Sequence, residues 1–313
     1  MTDLSRVAEL LLSKDNIEIL THHYPDGDTL GCGFGLCLML QQLCKNARVV
    51  TSGAVGKKYA FLKEGVKEQD FEAEFVVSVD VAAPSLLGEN QQKYQDIIDL
   101  CIDHHGTNSL QAKEKYVDAK AAAASEIICE LATYLGVSFT REIANCIYTG
   151  ISTDTGCFRY SNTTPKTHLL AAQMMEYTGD WFDINTRMFE TKTPEKIALE
   201  RMVYDTLEYA CDGRCALIYT TLEMQKKAGI TDDEMEGLAS IPRRIENVLL
   251  GITMREKEGG VFKVSVRSNG DVDASQFCMR FGGGGHKAAS GCTVEGGLES
   301  AKAQLLKAAQ EFI

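Results

Sequence analysis

The stretch Asn16-Ile17-Glu18-Ile19-Leu20-Thr21-His22-His23-Tyr24-Pro25-Asp26-Gly27-Asp28 decides how the chain is read. Asn16 to Thr21 reads as a strand, a short apolar run closed by polar residues. Pro25 and Gly27 then hold the backbone in a turn. A glycine-rich apolar helix follows, from about Thr29 to Leu43. The turn carries His22, Asp26 and Asp28 within seven residues, so one imidazole and two carboxylates can face a common point. Mixed imidazole and carboxylate donors suit Mn²⁺, Fe²⁺ or Zn²⁺ better than Ca²⁺. The alternative is a solvated turn whose aspartates only cap the helix.

Outward from this segment, strand-like runs recur at Ala47–Thr51, Phe75–Val79 and Ile97–Ile102. Helical spacing of three and four marks Ser125–Leu135 and Glu142–Ile151. Strands alternating with helices predict an α/β fold built on a parallel sheet. Ionisable residues stand just past three strand ends: His22, Asp26 and Asp28, then Asp80, then Asp103-His104-His105. In open α/β sheets the site lies in the crevice at those carboxyl ends. Asp80 alone reads first as a helix cap, whereas three consecutive ionisable groups after Ile97–Ile102 are hard to justify as packing. Asp154 closes a helix with a carboxylate, where the helix dipole disfavours it. A nearby cation would remove that penalty.

Beyond about residue 184 the texture changes. Asn185 to Tyr209 reads as a helical connector, so the expected domains are 1–184, a linker 185–209, and a smaller α+β domain over 210–313. In the last, Ala216–Thr220, Val248–Arg255 and Val261–Arg267 are strand-like, with Glu256–Gly260 as a hairpin turn. Phe281-Gly282-Gly283-Gly284-Gly285-His286-Lys287 follows, and Leu298–Phe312 reads as a helix. Consecutive glycines let a backbone pass close to a ligand and expose N–H groups to phosphate.

Composition narrows the function. A chain of 313 residues is long enough for two cores. A formal net charge of −12 argues against gripping long duplexes, which takes a basic surface. It leaves room for short nucleotides whose charge is met by bound metal. The start, MTDLSRVAEL, does not read as a signal peptide, and the apolar windows are shorter than a membrane span. Eleven cysteines, an odd number scattered through apolar segments without a CxxC, read as free thiols of a cytoplasmic protein. A cysteine-bound zinc is not expected.

Together, His22-x-x-Pro25-Asp26-Gly27-Asp28, Asp80, Asp103-His104-His105, Thr153-Asp154-Thr155-Gly156 and Gly282–His286 resemble the DHH phosphoesterases, specifically those with the type 1 DHH-associated C-terminal domain. The motifs run in the family's order across nearly the whole chain. That resemblance implies a parallel-sheet DHH domain, a C-terminal α+β domain and an active-site cleft between them. It implies two divalent ions, usually Mn²⁺: one held by His22, Asp26 and Asp80, the other by Asp28, Asp80, His104 and Asp154, so that Asp80 bridges. Asp103 would orient a ligand histidine, and His105 would face the substrate phosphate as a catalytic group. Arg267, Ser268, Gly284, Gly285 and His286 would bind the far end of the substrate, with Arg280 and Lys287 as weaker candidates.

The implied reaction is in-line attack on phosphorus by a hydroxide shared between the two ions. The implied substrates are oligoribonucleotides of a few residues, pApA or cyclic di-AMP, and the 3′-phosphate of pAp. No membrane or long duplex is implied as a partner, and a homodimer is. The alternatives are a manganese inorganic pyrophosphatase, which shares the N-terminal motifs but lacks the Gly-rich histidine motif, and a non-catalytic nucleotide-binding protein, which should lack a metal ligand. One departure stands out: Ala121–Ala124 replaces hydroxyl residues that relatives often carry before Ser125-Glu126, which predicts fewer side-chain contacts to phosphate there.

Overall fold

The computed structural model describes residues 2–53, 55–230, 235 and 237–313, with the side chain of His286 outside that description. The chain divides into two compact units, Met1–Thr191 and Lys192–Ile313.

In the first unit, α1 (Leu4–Ser13) precedes β1 (Ile17–Leu20), α2 (Gly27–Gln42), β2 (Ala47–Val50), β3 (Phe75–Val79), α3 (Gln91–Tyr94), β4 (Leu100–Asp103) and β5 (Glu114–Val117). Four helices follow: α4 (Ala124–Leu135), α5 (Arg141–Asp154), α6 (Pro165–Thr178) and α7 (Trp181–Asn185). The strands form one parallel sheet in the order β2-β1-β3-β4-β5.

Alternate residues of each strand enter different cores. Ile19, Val77 and Ile102 pack with α2, α4 and α5, while Leu20, Val76 and Cys101 pack with Leu87, Tyr94 and Leu110. A sheet covered on both faces favours apolar residues at most positions, which is why these strands read as mainly apolar runs, with Glu18 and Ser78 buried among them. β5 is the exception. Its Glu-Lys-Tyr-Val is half-buried along its length, so it offers no apolar run and the sequence reading stopped at four strands. The fourth strand also starts later than expected, at Leu100, because Ile97 is exposed.

The strand order reverses direction at β1, which has β2 on one side and β3 on the other. Such a switch point opens a crevice at the carboxyl ends of β1 and β3, and His22 and Asp80 stand there. Above the sheet, α2 is buried almost all round. Its glycines at 27, 31 and 35 share one face, four residues apart, and lie against α5: Gly31 meets its main chain at Cys146 and Gly150, Gly27 meets the Thr153 side chain and Gly35 the side chains of Cys146 and Ile147. A Cβ on Gly31 would come 2.4 Å from the Cys146 carbonyl oxygen, and one on Gly27 would come 2.3 Å from Thr153 Oγ1. The first turn of α2 therefore lies against the last turn of α5, which puts Asp28 and Asp154 at the same end of the helix pair.

The second unit holds α8 (Pro194–Tyr204), β6 (Glu208–Ala210), β7 (Cys215–Thr220), α9 (Leu222–Ala228), β8 (Leu250–Lys257) and β9 (Val261–Ser268), followed by α10 (Ala274–Met279), β10 (Gly284–His286), β11 (Ala289–Glu295) and α11 (Leu298–Ala309). Its mixed sheet has the order β10-β11-β9-β8-β7-β6, with only β7 and β8 parallel. The stretch read as a connector contributes α8, whose Leu199 and Val203 are buried with Ile218 and Leu238 of this unit. The β8–β9 ladder runs out to the Lys257–Val261 pair, so the hairpin turn is tighter than Glu256–Gly260. Among the described residues no helix is long and apolar enough to cross a membrane.

Candidate metal centre

The groups singled out at the strand ends of the first unit come together. His22, Asp26 and Asp80 form one set of donors within 4.8 Å of one another, and Asp28, His104 and Asp154 form a second. Asp80 faces both: its Oδ2 stands 3.8 Å from His22 Nε2 and its Oδ1 stands 3.5 Å from His104 Nε2. The other separations are 3.6 Å from His22 Nε2 to Asp26 Oδ2, 3.9 Å from His104 Nε2 to Asp28 Oδ2, and 3.6 Å from His104 Nε2 to Asp154 Oδ2. These are too long for hydrogen bonds. Two ligands each about 2.1 Å from one ion and roughly 90–120° apart lie ~3.0–3.6 Å from each other; three of the five separations fall within that range, and those of 3.8 and 3.9 Å lie just beyond it.

The local backbone explains how each group is aimed. Asp26 is the N-cap of α2: its Oδ1 accepts from Asp28 N and Thr29 N at 3.0 and 3.1 Å, which leaves Oδ2 for His22. It thus combines the capping and the cluster roles that the sequence had set against each other. Asp28 does the same across 96 residues. Its Oδ2 accepts from Ala124 N at 2.6 Å and its Oδ1 from Ser125 N at 2.9 Å, capping α4, whose own N-cap residue Ala123 has no side chain to do so. The positive ends of α2 and α4 therefore both point at cluster carboxylates. The alanine run thus supplies backbone groups where side chains were missed. Asp154 is the last residue of α5, as expected.

The histidine tautomers follow from their partners. A carbonyl oxygen can only accept, so His104 Nδ1, 3.2 Å from Ala121 O, carries a proton and leaves Nε2 as the lone-pair atom facing the carboxylates. Asp103 had been expected to orient a ligand histidine. It takes the Nδ1–H of His105 at 2.8 Å and the backbone N–H of His104 at 2.7 Å instead. Its other oxygen accepts from Asn108 Nδ2, and Asn108 Oδ1 in turn accepts from Lys115 Nζ at 2.8 Å. Asp103 is fully buried and accepts three hydrogen bonds on its two oxygens, so its carboxylate is engaged in holding His105. Sequence reasoning missed Asn108 and Lys115, since neither lies in a patterned segment.

Electrostatics support a cation. Burial, then the charges of Asp28, Asp26, Asp154 and Asp103, push the Asp80 carboxyl well above its ordinary range. Partial burial and the carboxylates of Asp28 and Asp26 do the same to Asp154. Burial opposes ionisation of Asp103 too, but His105, Asn108 and the His104 N–H hold its carboxyl below the usual value. Asp80 Oδ1 is buried without a hydrogen-bond partner, and a buried acceptor left unpaired is costly. Asp80 also sits at φ +57°, a left-handed conformation that few non-glycine residues adopt, and strain of that kind clusters at functional sites. It caps no helix: the next helical turn, Pro84–Asn90, has Ala83 as its N-cap. An orphaned, strained, charge-crowded carboxylate between two donor sets fits a divalent ion on each side.

In the second unit, Arg267 and Ser268 end β9, and the glycine motif forms β10, two strands away across β11. Ser268 is buried, and its hydroxyl donates to Lys287 O at 2.8 Å, so it ties down the loop carrying the motif. The glycines divide by role. A Cβ on Gly283 would meet Gly291 O at 2.2 Å and one on Gly285 would meet Ala289 O at 2.7 Å, whereas Gly284 faces open space. Close strand packing thus accounts for two of them. Arg280 is paired with Glu311, and the His286 side chain lies outside the described residues.

Residues 16–151 match the DHH family, N-terminal domain, and residues 216–313 match the DHHA1 domain. The chain is 33% identical to the bifunctional oligoribonuclease and PAP phosphatase NrnA of Thermus thermophilus, over 97% of this chain and 93% of that protein. It is 30% identical to the probable NrnA of Streptococcus mutans, over 93% of each. An exopolyphosphatase-related protein from Bacteroides fragilis superposes with a TM-score of 0.89 at 25% identity, covering 98% of this chain and 95% of the other.

Proposed function

This chain belongs to the DHH family of phosphoesterases, and we propose that it hydrolyses short nucleotide phosphoesters with the help of two divalent ions, Mn²⁺ by preference. The substrate class is oligoribonucleotides of a few residues, linear or cyclic diadenylates and the 3′-phosphate of pAp. His22, Asp26 and Asp80 hold one ion and Asp28, Asp80, His104 and Asp154 the other. The observation that carries this reading is Asp80, one oxygen turned to each donor set and one of them buried without a partner. Bound there, two divalent ions would lower the pKa of water and neutralise phosphoryl charge.

The chain's own residues do the rest. The Ala121 carbonyl keeps His104 in the tautomer whose Nε2 can ligate. Asp103, fixed by Asn108, keeps the proton of His105 on Nδ1. The second ring nitrogen, Nε2, is then the atom that exchanges a proton with the substrate, and His105 is the group assigned to assist departure of the leaving ribose oxygen. Arg267, Gly284, Gly285 and His286 are assigned to nucleotide binding, and Ser268 to holding their loop. With a net charge of −12, the chain relies on the metals for most of its attraction to phosphate, which favours short substrates over long duplexes.

The test is turnover of pApA, cyclic di-AMP, a five-residue RNA, pAp and pyrophosphate with added Mn²⁺, beside His104→Ala and Asp80→Ala. Release of AMP by the wild type, lost in both variants, is the expected result. Turnover of pyrophosphate alone, or metal binding with no turnover at all, would refute the assignment.

A further inference from the structure

The loop between two of the cluster residues carries an aromatic that the chemistry does not use. Tyr24 lies two residues from His22 and two from Asp26, and it is 67% exposed. Single exposed aromatics are common and mean little alone. Here the ring is backed by a rigid support. Its centroid is 4.4 Å from that of His23, tilted by 58°. His23 is pinned on three sides: its backbone N–H donates to Leu86 O at 2.6 Å, its Nδ1 lies 3.0 Å from Ser52 Oγ, and its ring rests on Gly88. A Cβ on Gly88 would come 2.5 Å from the imidazole, and Gly88 adopts φ 57°, ψ −128°, a conformation closed to other residues in practice. Pro25 stiffens the other side of the loop.

We propose that Tyr24, backed by His23, is the stacking platform for the nucleobase of the nucleotide whose phosphate sits at the metal centre. This rests on the nucleotide reading given above. A phosphate there has its base one ribose away, and an aromatic two residues along the chain from both His22 and Asp26, its neighbour His23 pinned, supplies a flat apolar face at little entropic cost. Stacking is tolerant of sequence because every base has a π-face, and it favours purines through their larger area. The geometry therefore assigns Tyr24 as a specificity residue that raises affinity for base-bearing phosphoesters and prefers a purine next to the scissile phosphate.

The experiment compares kcat/KM on pApA with that on an abasic analogue having the same two ribose phosphates without bases. In Tyr24→Ala the ratio of the two should fall about tenfold, the size expected of one lost base–aromatic stack, mainly through KM on pApA. Tyr24→Phe should keep the ratio. The Mn²⁺-induced rise in melting temperature, measured on each variant, separates a lost platform from a collapsed loop. An unchanged ratio in Tyr24→Ala overturns the platform and leaves the phosphoesterase reading intact. Failure of the wild type to cleave either compound overturns that reading, and the platform with it.

Discussion

Replacing Asp80 with asparagine separates what this carboxylate does for the fold from what it does for the metals. The side chain is 3% exposed and shares its surroundings with Asp103, His104 and His105 within 4.8 Å. A like charge at that distance costs about 3 kcal/mol at an effective dielectric near 20. Asparagine keeps the shape, tolerates the left-handed backbone at φ +57°, and removes the charge. The sign of the pH dependence follows from the raised pKa of Asp80. Above the ordinary carboxyl range the folded, metal-free protein retains a proton that the unfolded chain releases. Its stability therefore falls as pH rises toward the raised value, by at most ~1.4 kcal/mol per pH unit.

The variant has no such proton to lose. In EDTA, Asp80→Asn should melt above wild type, with the gap widening as pH rises above the ordinary carboxyl range, at roughly 2–4 °C per kcal/mol for a domain of this size. Mn²⁺ at about a hundred times its dissociation constant should stabilise wild type by ~2.7 kcal/mol and the variant by far less, since both ions lose a ligand. Differential scanning fluorimetry in EDTA and in Mn²⁺ measures both effects. A variant that melts below wild type in EDTA at pH 8, or keeps the full Mn²⁺ shift, would refute the account of Asp80 as a carboxylate strained for two cations.

Asn108→Ala strips a donor from the fully buried Asp103 and should cost about 1.5–3 kcal/mol in urea unfolding. It should also lower kcat with little change in KM, because His105 loses its fixed orientation. Gly150→Ala would place a Cβ 1.8 Å from Ser125 Oγ and 2.7 Å from Asp28 Oδ1; overpacking of this kind costs about 1–3 kcal/mol, and calorimetry should find weakened Mn²⁺ binding. Ser268→Ala releases the Lys287 carbonyl at a cost of about 1 kcal/mol, so amide exchange in residues 284–288 should quicken while metal affinity stays unchanged.

The parts of the fold that could be read from sequence were those where burial and local pattern agree. Val76, Val77 and Val79 are buried on both faces of a sheet, and the run Phe75–Val79, polar only at Ser78, announces a central strand. The candidate ligands converge for a related reason: a parallel sheet puts the residue after each strand at one edge, so Asp80 and His104 are expected in a common place from sequence alone. What could not be read was non-local. Nothing near Ala123 reveals that its helix is capped by Asp28. Nothing in His105-Gly106-Thr107-Asn108 shows that the asparagine turns back beneath Asp103 with Lys115 behind it. β5 was hidden because half-buried edge strands carry no pattern distinct from a loop. α8 reads as a connector because its buried face is narrow, with Lys196, Leu199 and Val203 alone buried.

The seam of Gly27, Gly31 and Gly35 against α5 acts as a fixed-length spacer. Most helix pairs are held apart by side chains, so their separation drifts as core residues exchange size. Here Gly31 meets the main chain of Cys146 and Gly150 directly, so at the crossing point no rotamer can adjust the separation. Asp28 rides on one of these helices and Asp154 on the other. The spacing of the two carboxylates is thus tied to a helix crossing whose closest approach is fixed by backbone dimensions at Gly31.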